Sequence, residues 1–240
     1  MSPTVVLVHG AWHGSWAWDR VMPLLFAAGV SAVAVDLPSG RSLAGSVGDL
    51  HADAVAVTAE LHRHESAVLL GHSYGGAVIT EAGAHPSVQH LVFLAAFPLR
   101  SDESCVHAAV DETSGIDDTG RTGLGSGFIQ HPDGSVTLTP AVARACLYSD
   151  LDDATAAWAE ERLGPQSLTA LAQSPHEVAW EVTPSTYIVC GDDQAVHPDL
   201  QRILARRCRT QLEWPTGHSP FLSDPARVAA LLTELATGDH

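Results

Sequence analysis

The sequence holds no lysine. All 12 basic residues are arginines, set against 28 aspartates and glutamates, and the formal net charge over 240 residues is -16. Schiff-base chemistry and any other lysine-assisted step are excluded. Without a basic cluster, neither nucleic acid nor an anionic membrane surface is an expected partner. The 4 cysteines, Cys105, Cys146, Cys190 and Cys208, lie far apart with no C-x-x-C spacing. That speaks against a zinc site and a disulfide framework, and for reduced thiols in a cytoplasm. No signal-type segment precedes the first strand-like run, no apolar run reaches membrane-spanning length, and no glycine-rich phosphate loop is present. The expectation is one soluble, cytoplasmic α/β domain, long enough to bury a full core, with neither cofactor nor metal.

Apolar runs and helical periodicities alternate through the first hundred residues. Residues 3–8 read as a strand buried on both faces, ending in the turn His9-Gly10-Ala11-Trp12-His13-Gly14. A helix is expected over 15–28 from the spacing of Trp18, Val21, Leu24 and Leu25. A strand over 30–35, a Ser/Gly loop over 41–48 and a helix over 49–62 follow, the last with Leu50, Ala54, Val57 and Leu61 inward. Residues 66–70 and 90–95 are two more strands with a helix between them, a rhythm that implies βαβ units and a parallel sheet.

The rhythm stops over residues 100–182. A run over 111–128 rich in Gly, Asp, Ser and Thr precedes a hairpin around Asp133-Gly134 and helical segments near 140–148, 152–162 and 165–173. Strands at 185–191 and 210–214, with helices at 198–207 and 225–236, complete a mostly parallel sheet of about six strands. Residues 1–99 and 183–240 therefore read as the core, and 100–182 as a cap inserted over the sheet's C-terminal edge.

The most specific stretch is Leu69-Leu70-Gly71-His72-Ser73-Tyr74-Gly75-Gly76, a G-x-S-x-G turn between strand and helix. Such a turn lifts the serine clear of the sheet, at a helix N-terminus whose dipole favours developing negative charge. Serine needs a base, and the base an orienting acid. His218, in the loop Trp214-Pro215-Thr216-Gly217-His218-Ser219 after the last strand, is the candidate base. Asp193, in the strand-end turn Gly191-Asp192-Asp193-Gln194, is the candidate acid, with Asp192 the alternative. The plain role for either is helix capping before Pro198. Candidate oxyanion donors are the backbone N–H of Tyr74, directly after the serine, and that of Ala11 in the first turn. Trp12, Phe97 and Phe221 are candidates for the pocket wall. With His218 as base, activity should fall in acid as the imidazole takes up a proton.

Four stretches carry a family resemblance: His9-Gly10-Ala11-Trp12-His13-Gly14-Ser15-Trp16-x-Trp18, Gly71-His72-Ser73-x-Gly75-Gly76, Phe93-Leu94-Ala95-Ala96-Phe97-Pro98 and Gly217-His218. With them the chain resembles, nearly end to end, the small α/β-hydrolases that include plant methylesterases, salicylate-binding esterases, hydroxynitrile lyases and bacterial relatives. The resemblance implies an α/β-hydrolase fold with Ser73 as nucleophile, His218 as base, Asp193 as acid, and Ala11 and Tyr74 as oxyanion donors. It also implies a capped site for a small-molecule substrate and often a homodimer. The cyanohydrin lyases of this family carry threonine at the place of Gly10 and lysine at the place of Ser219, so these positions favour ester hydrolysis. No tryptophan occurs in residues 100–140, where the plant proteins tend to line their pocket, so the substrate does not transfer.

The expected activity is hydrolysis of a small, largely apolar carboxylic ester or lactone through an acyl-enzyme. A lyase, C–C hydrolase or perhydrolase using the same triad stays open, as does a binding module with negligible turnover. Halide displacement would need aspartate at position 73. His62 and His64, two apart at a helix end, face different directions and suggest no metal site. Glu60, Asp152, Asp153, Glu160 and Glu161 read as solvated surface.

Overall fold

A computed structural model describes residues 2–40, 42–43, 46–111 and 122–238. In chain order the strands are β1 (Thr4–Val8), β2 (Ala32–Val35), β3 (Ser42–Leu43), β4 (Ser46–Val47), β5 (Ala67–His72), β6 (Val88–Leu94), β7 (Phe128–Gln130), β8 (Ser135–Leu138), β9 (Gln166–Ser167), β10 (Ser185–Cys190) and β11 (Thr210–Trp214). The central sheet has six strands in the order β11-β10-β6-β5-β1-β2, and every pairing in it is parallel. Strands of this kind must bury both faces. Alternate residues of β1 do so in two separate cores: Val6 and Val8 pack with Leu69, Val5 and Leu7 with Val68 and Leu70.

The helices are α1 (Met22–Ala27), α2 (Leu50–Leu61), α3 (Gly75–Ala82), α4 (Cys105–Asp111), α5 (Pro140–Leu147), α6 (Asp153–Glu160), α7 (Leu168–Ala172), α8 (Pro198–Ala205), α9 (Pro220–Ser223) and α10 (Pro225–Thr237). None of them is long and apolar enough to cross a membrane. From β1 the chain moves outward to β2, then returns to pair β5 on the opposite side of β1. Connections leaving β1 and β5 therefore diverge, and the crevice at their carboxyl ends is the natural binding place in such a sheet.

Several elements differ from the sequence expectation. The helix expected over 15–28 breaks into a 3-10 turn, Ser15–Trp18, and α1. Pro23 lies in the first turn of α1; lacking an N–H, it starts a helix but cannot continue one. The segment expected as helix over 165–173 begins as β9, paired antiparallel with β8 through Val136 and Gln166. Ser167 then caps α7 by accepting from the Ala170 N–H. Within the expected loop over 41–48, β3 pairs with β4. The polar run expected over 111–128 falls for the most part, at 112–121, outside the described residues. The hairpin β7–β8 turns at Asp133-Gly134, where Gly134 has φ +84° and Asp133 Oδ1 accepts from Ser135 N.

Candidate active site

Three non-glycine residues of the described chain have left-handed backbone, Trp12 (φ +64°), Ser73 (φ +52°) and Ala95 (φ +46°). They follow the carboxyl ends of β1, β5 and β6, which are neighbours in the sheet. Strain gathered in one place like this marks a site whose surroundings hold it against relaxation. At the elbow those surroundings are glycine. A Cβ on Gly71 would lie 2.4 Å from the Gly75 carbonyl oxygen, and one on Gly75 would lie 2.7 Å from that of His9. The strand side grips the same turn, with Ser73 N donating to Leu94 O at 3.1 Å and Phe97 N to Ser73 O at 3.3 Å. Ser73 itself is only partly buried.

Asp193 and His218 meet after β10 and β11. His218 Nδ1 lies 2.7 Å from Asp193 Oδ2, and both side chains are wholly buried. An imidazole bonded to a carboxylate through Nδ1–H leaves Nε2 as its unprotonated nitrogen. Asp193 also accepts from Ala195 N (2.7 Å), Val196 N (3.0 Å) and Gln201 Nε2 (2.7 Å). Asp192 is exposed, and α8 is capped by the His197 side chain, with neither aspartate involved.

Two neighbouring histidines set the loops around the pair. His72 Nε2–H donates to the His218 carbonyl at 2.9 Å, its ring 4.6 Å from the His218 ring between centroids, so the elbow strand is tied directly to the loop carrying His218. Burial holds His72 well below the usual histidine value, and it is neutral. His13 is also buried and neutral, its value lowered to about 3 by desolvation. Its Nδ1–H donates to Ala11 O (2.8 Å), so Nε2 is an acceptor, and the Tyr148 hydroxyl donates to it at 3.0 Å. The first turn is fastened to the insertion twice more, through Trp12 Nε1 to Val136 O (3.2 Å) and Gly164 N to Trp12 O (2.8 Å). Asp150, two residues on from Tyr148, accepts from Gly217 N at 2.7 Å. One short piece of the insertion thus holds both the turn after β1 and the loop carrying His218.

The sequence profile of the Alpha/beta hydrolase family matches residues 5–231. The chain belongs to this family. Among curated relatives of this hydrolase, Methylesterase 7 of Arabidopsis thaliana is 33% identical over 250 residues, covering 96% of this chain and 95% of that one. Pheophorbidase of Raphanus sativus is 30% identical over 249 residues, covering 95% and 91%. A solved methylesterase from Arabidopsis superposes with TM-score 0.76 at 26% identity, covering 98% of the hydrolase and 99% of that chain.

The remaining positions singled out in the sequence lie around this centre of the hydrolase. Ala11 is buried in the strained first turn, and Tyr74 forms the N-terminal boundary of α3. Trp12 packs on Phe128, with ring centroids 5.7 Å apart. Phe97 is all but buried behind the elbow. Phe221 is wholly buried, its ring 4.8 Å from that of His72 and 5.7 Å from that of His13, so it supports the histidines from below. His72, His13, Tyr148, Asp150 and Gln201 were not singled out as site residues. Of these only His72 and His13 carried a sequence signal, through their place in the two glycine-rich turns.

His62 and His64 do turn apart, His62 Nδ1 to Thr58 O and His64 Nε2 to Glu60. A different group comes together away from the site: His51, Glu81 and His176, with their ligand-type atoms within 4.8 Å of one another. The two imidazoles stack face to face, 3.7 Å apart and 3° from parallel, so their ring nitrogens do not converge on one point. His51 Nδ1 bonds Glu81 at 3.0 Å, and Glu81 also accepts from His176 N at 2.9 Å. The group reads as a polar clasp joining α2, α3 and the end of the insertion.

Proposed function

We propose that the chain is a serine carboxylesterase that cleaves small, uncharged, largely apolar esters, methyl esters foremost, through an acyl-enzyme. Ser73 Oγ attacks the ester carbonyl carbon while His218 Nε2 takes its proton, and the alcohol departs with that proton. Water, deprotonated by the same nitrogen, then releases the acid and restores Ser73. Asp193 keeps the proton of the resting imidazole on Nδ1 and faces the imidazolium that forms. The N–H groups of Ala11 and Tyr74 receive the negative oxygen of the tetrahedral intermediate. The observation that carries the reading is the wholly buried 2.7 Å bond between His218 and Asp193, reached through His72 from a serine held at φ +52°.

The names of the methylesterase relatives support a methyl ester as substrate. The lyase alternative meets two obstacles in this chain. A Cβ at Gly10 would lie 2.8 Å from His72 Nδ1 and 3.0 Å from Ser73 Cβ, so a threonine there would push on the nucleophile. Ser219 is wholly buried, and a lysine in its place would carry an ammonium away from water. The reading includes a cytoplasmic enzyme, in keeping with four buried free thiols, and a homodimer as the family resemblance implies. The test is hydrolysis of a panel of short aryl and methyl esters by the wild type and Ser73→Ala. The variant should lose about 10⁴-fold or more. Equal rates in both proteins would remove the ester-hydrolase reading, because surface histidines alone cleave activated esters.

A further inference from the structure

A second aspartate lies under the elbow. Asp53, on α2, is wholly buried, and no arginine or histidine of the described residues bonds it. Its carboxylate accepts from Ser39 N at 2.8 Å through Oδ1, and from Ser39 Oγ at 2.5 Å and the Tyr74 hydroxyl at 2.6 Å through Oδ2. Ser39 lies in the turn after β2, and Gln166 of β9 donates to its Oγ at 3.0 Å. Four separate pieces of chain, the insertion among them, meet at this one group.

The place matters because Tyr74 directly follows Ser73. Its peptide N–H belongs to the strained turn, and its ring reaches back into the core, so the Asp53 bond fixes the far end of the residue. The strand side fixes the near end through the Ser73 N–H and C=O bonds given above. A carboxylate suits this position, since all three of its bonded groups present protons to it. A carboxylic acid does not, because the added proton needs an acceptor. Ser39 Oγ can serve only if its own proton goes elsewhere. The one unpartnered acceptor in the cluster is Gln166 Oε1, buried and without a hydrogen bond.

We propose that Asp53 is a positioning residue for the elbow: as a carboxylate it holds the Tyr74 side chain and Ser39, and on protonation it lets the Tyr74 peptide shift and the rate fall. This rests on the reading of the Tyr74 N–H as an oxyanion donor. Burial pushes the Asp53 carboxyl up to about 6, against the pull of Ser39 and Tyr74, so the change falls in an accessible pH range. The other groups facing it are few. Asp49 on its own helix repels it, the Tyr74 hydroxyl is held protonated far above its ordinary value, and the Cys105 thiol of α4 lies beyond Tyr74.

The experiment measures kcat and KM for a neutral ester from pH 4.5 to 9 in the wild type, Asp53→Asn, Asp53→Glu, Tyr74→Phe and Ser73→Ala. Two ionisations should shape the acid side of the wild-type kcat profile, giving a fall steeper than one proton allows. Asp53→Asn and Tyr74→Phe should lower kcat about tenfold to a hundredfold at pH 8, as expected for a misplaced donor, with KM within about threefold. Both should reduce the acid side to a single ionisation, and Asp53→Glu should restore part of the steepness. The proposal is overturned by a single ionisation in the wild type, by a steep limb that survives in Asp53→Asn, or by losses confined to KM. If Ser73→Ala keeps wild-type rates, the hydrolase reading itself is what fails. If Ser73→Ala is inactive while Asp53→Asn and Tyr74→Phe match the wild type, the positioning role alone is lost.

Discussion

Asp193 and Asp53 are both wholly buried, and both are surrounded by hydrogen-bond donors, yet the donors differ in kind. Asp193 sits in a strand-end turn and accepts from two backbone amides, Gln201 and His218. One of its partners can become a cation, so a charge that would be costly to bury alone is matched whenever the imidazolium forms. Asp53 has only hydroxyl and amide donors, and desolvation raises its pKa from 3.8 to about 6. The folded chain therefore holds this proton more tightly than the unfolded chain does. Ionisation of Asp53 weighs against the fold, not at all below about pH 4, increasingly between about 4 and 6, and by about 3 kcal/mol above that. A buried carboxylate with no partner that can share its charge is a liability accepted for position.

The comparison breaks first at Asp193. Asparagine there turns an amide NH₂ toward His218 Nδ1 and drives the proton to Nε2, the wrong nitrogen for a base. Asp193→Asn should lower kcat by about 10⁴-fold with KM little changed. A loss no larger than that of Asp53→Asn would erase the distinction between the two sites. The next effect is in stability. Relative to the wild type, Asp53→Asn should gain about 2 kcal/mol more stability at pH 8 than at pH 4.5, as the ionisation penalty disappears from the variant. Urea unfolding at the two pH values measures this, and a gap that does not change with pH would mean that Asp53 carries no buried charge.

Much of this was legible in the sequence, but unevenly. Gly71, Gly75 and the apolar runs before and after them announce a strained serine between strand and helix. His218 and Asp193 can be located because each follows a recognisable strand. The two misread helices carried their own correction, in Pro23 and in the capping Ser167. Asp53 gave no such sign. On its helix it sits between inward Leu50 and Ala54 as an ordinary polar residue. Its partners at positions 39 and 74, and Gln166 behind Ser39, come together only in the tertiary packing. Asp152, Asp153 and Glu161 are exposed, as expected of solvated surface, and within that surface Asp152 caps α6 through Thr155 N while Arg144 bonds both Asp153 and Glu160. Periodicity reports which face of an element is buried. It does not report which polar group across the fold a side chain will meet.

The smallest effects test the piece of the insertion that holds both loops, and they separate a buried tie from an exposed one. Tyr148 is wholly buried, and removing its hydroxyl leaves His13 Nε2 without a donor where no water replaces it. Tyr148→Phe should therefore cost about 1–3 kcal/mol of stability and slow turnover by loosening the turn that carries Ala11. Asp150 is exposed and its bond to the Gly217 N–H only part-buried, so in Asp150→Ala the net value of one hydrogen bond is lost, about 1 kcal/mol of stability, with a small fall in kcat. Asp150→Asn keeps an acceptor oxygen at the same place and should lie between the wild type and Asp150→Ala. If Asp150→Ala instead cost as much as Tyr148→Phe, exposure would not be protecting the bond. The loop carrying His218 would then depend on the insertion for its shape, and the imidazole partner that distinguishes Asp193 would be held from a segment outside the sheet.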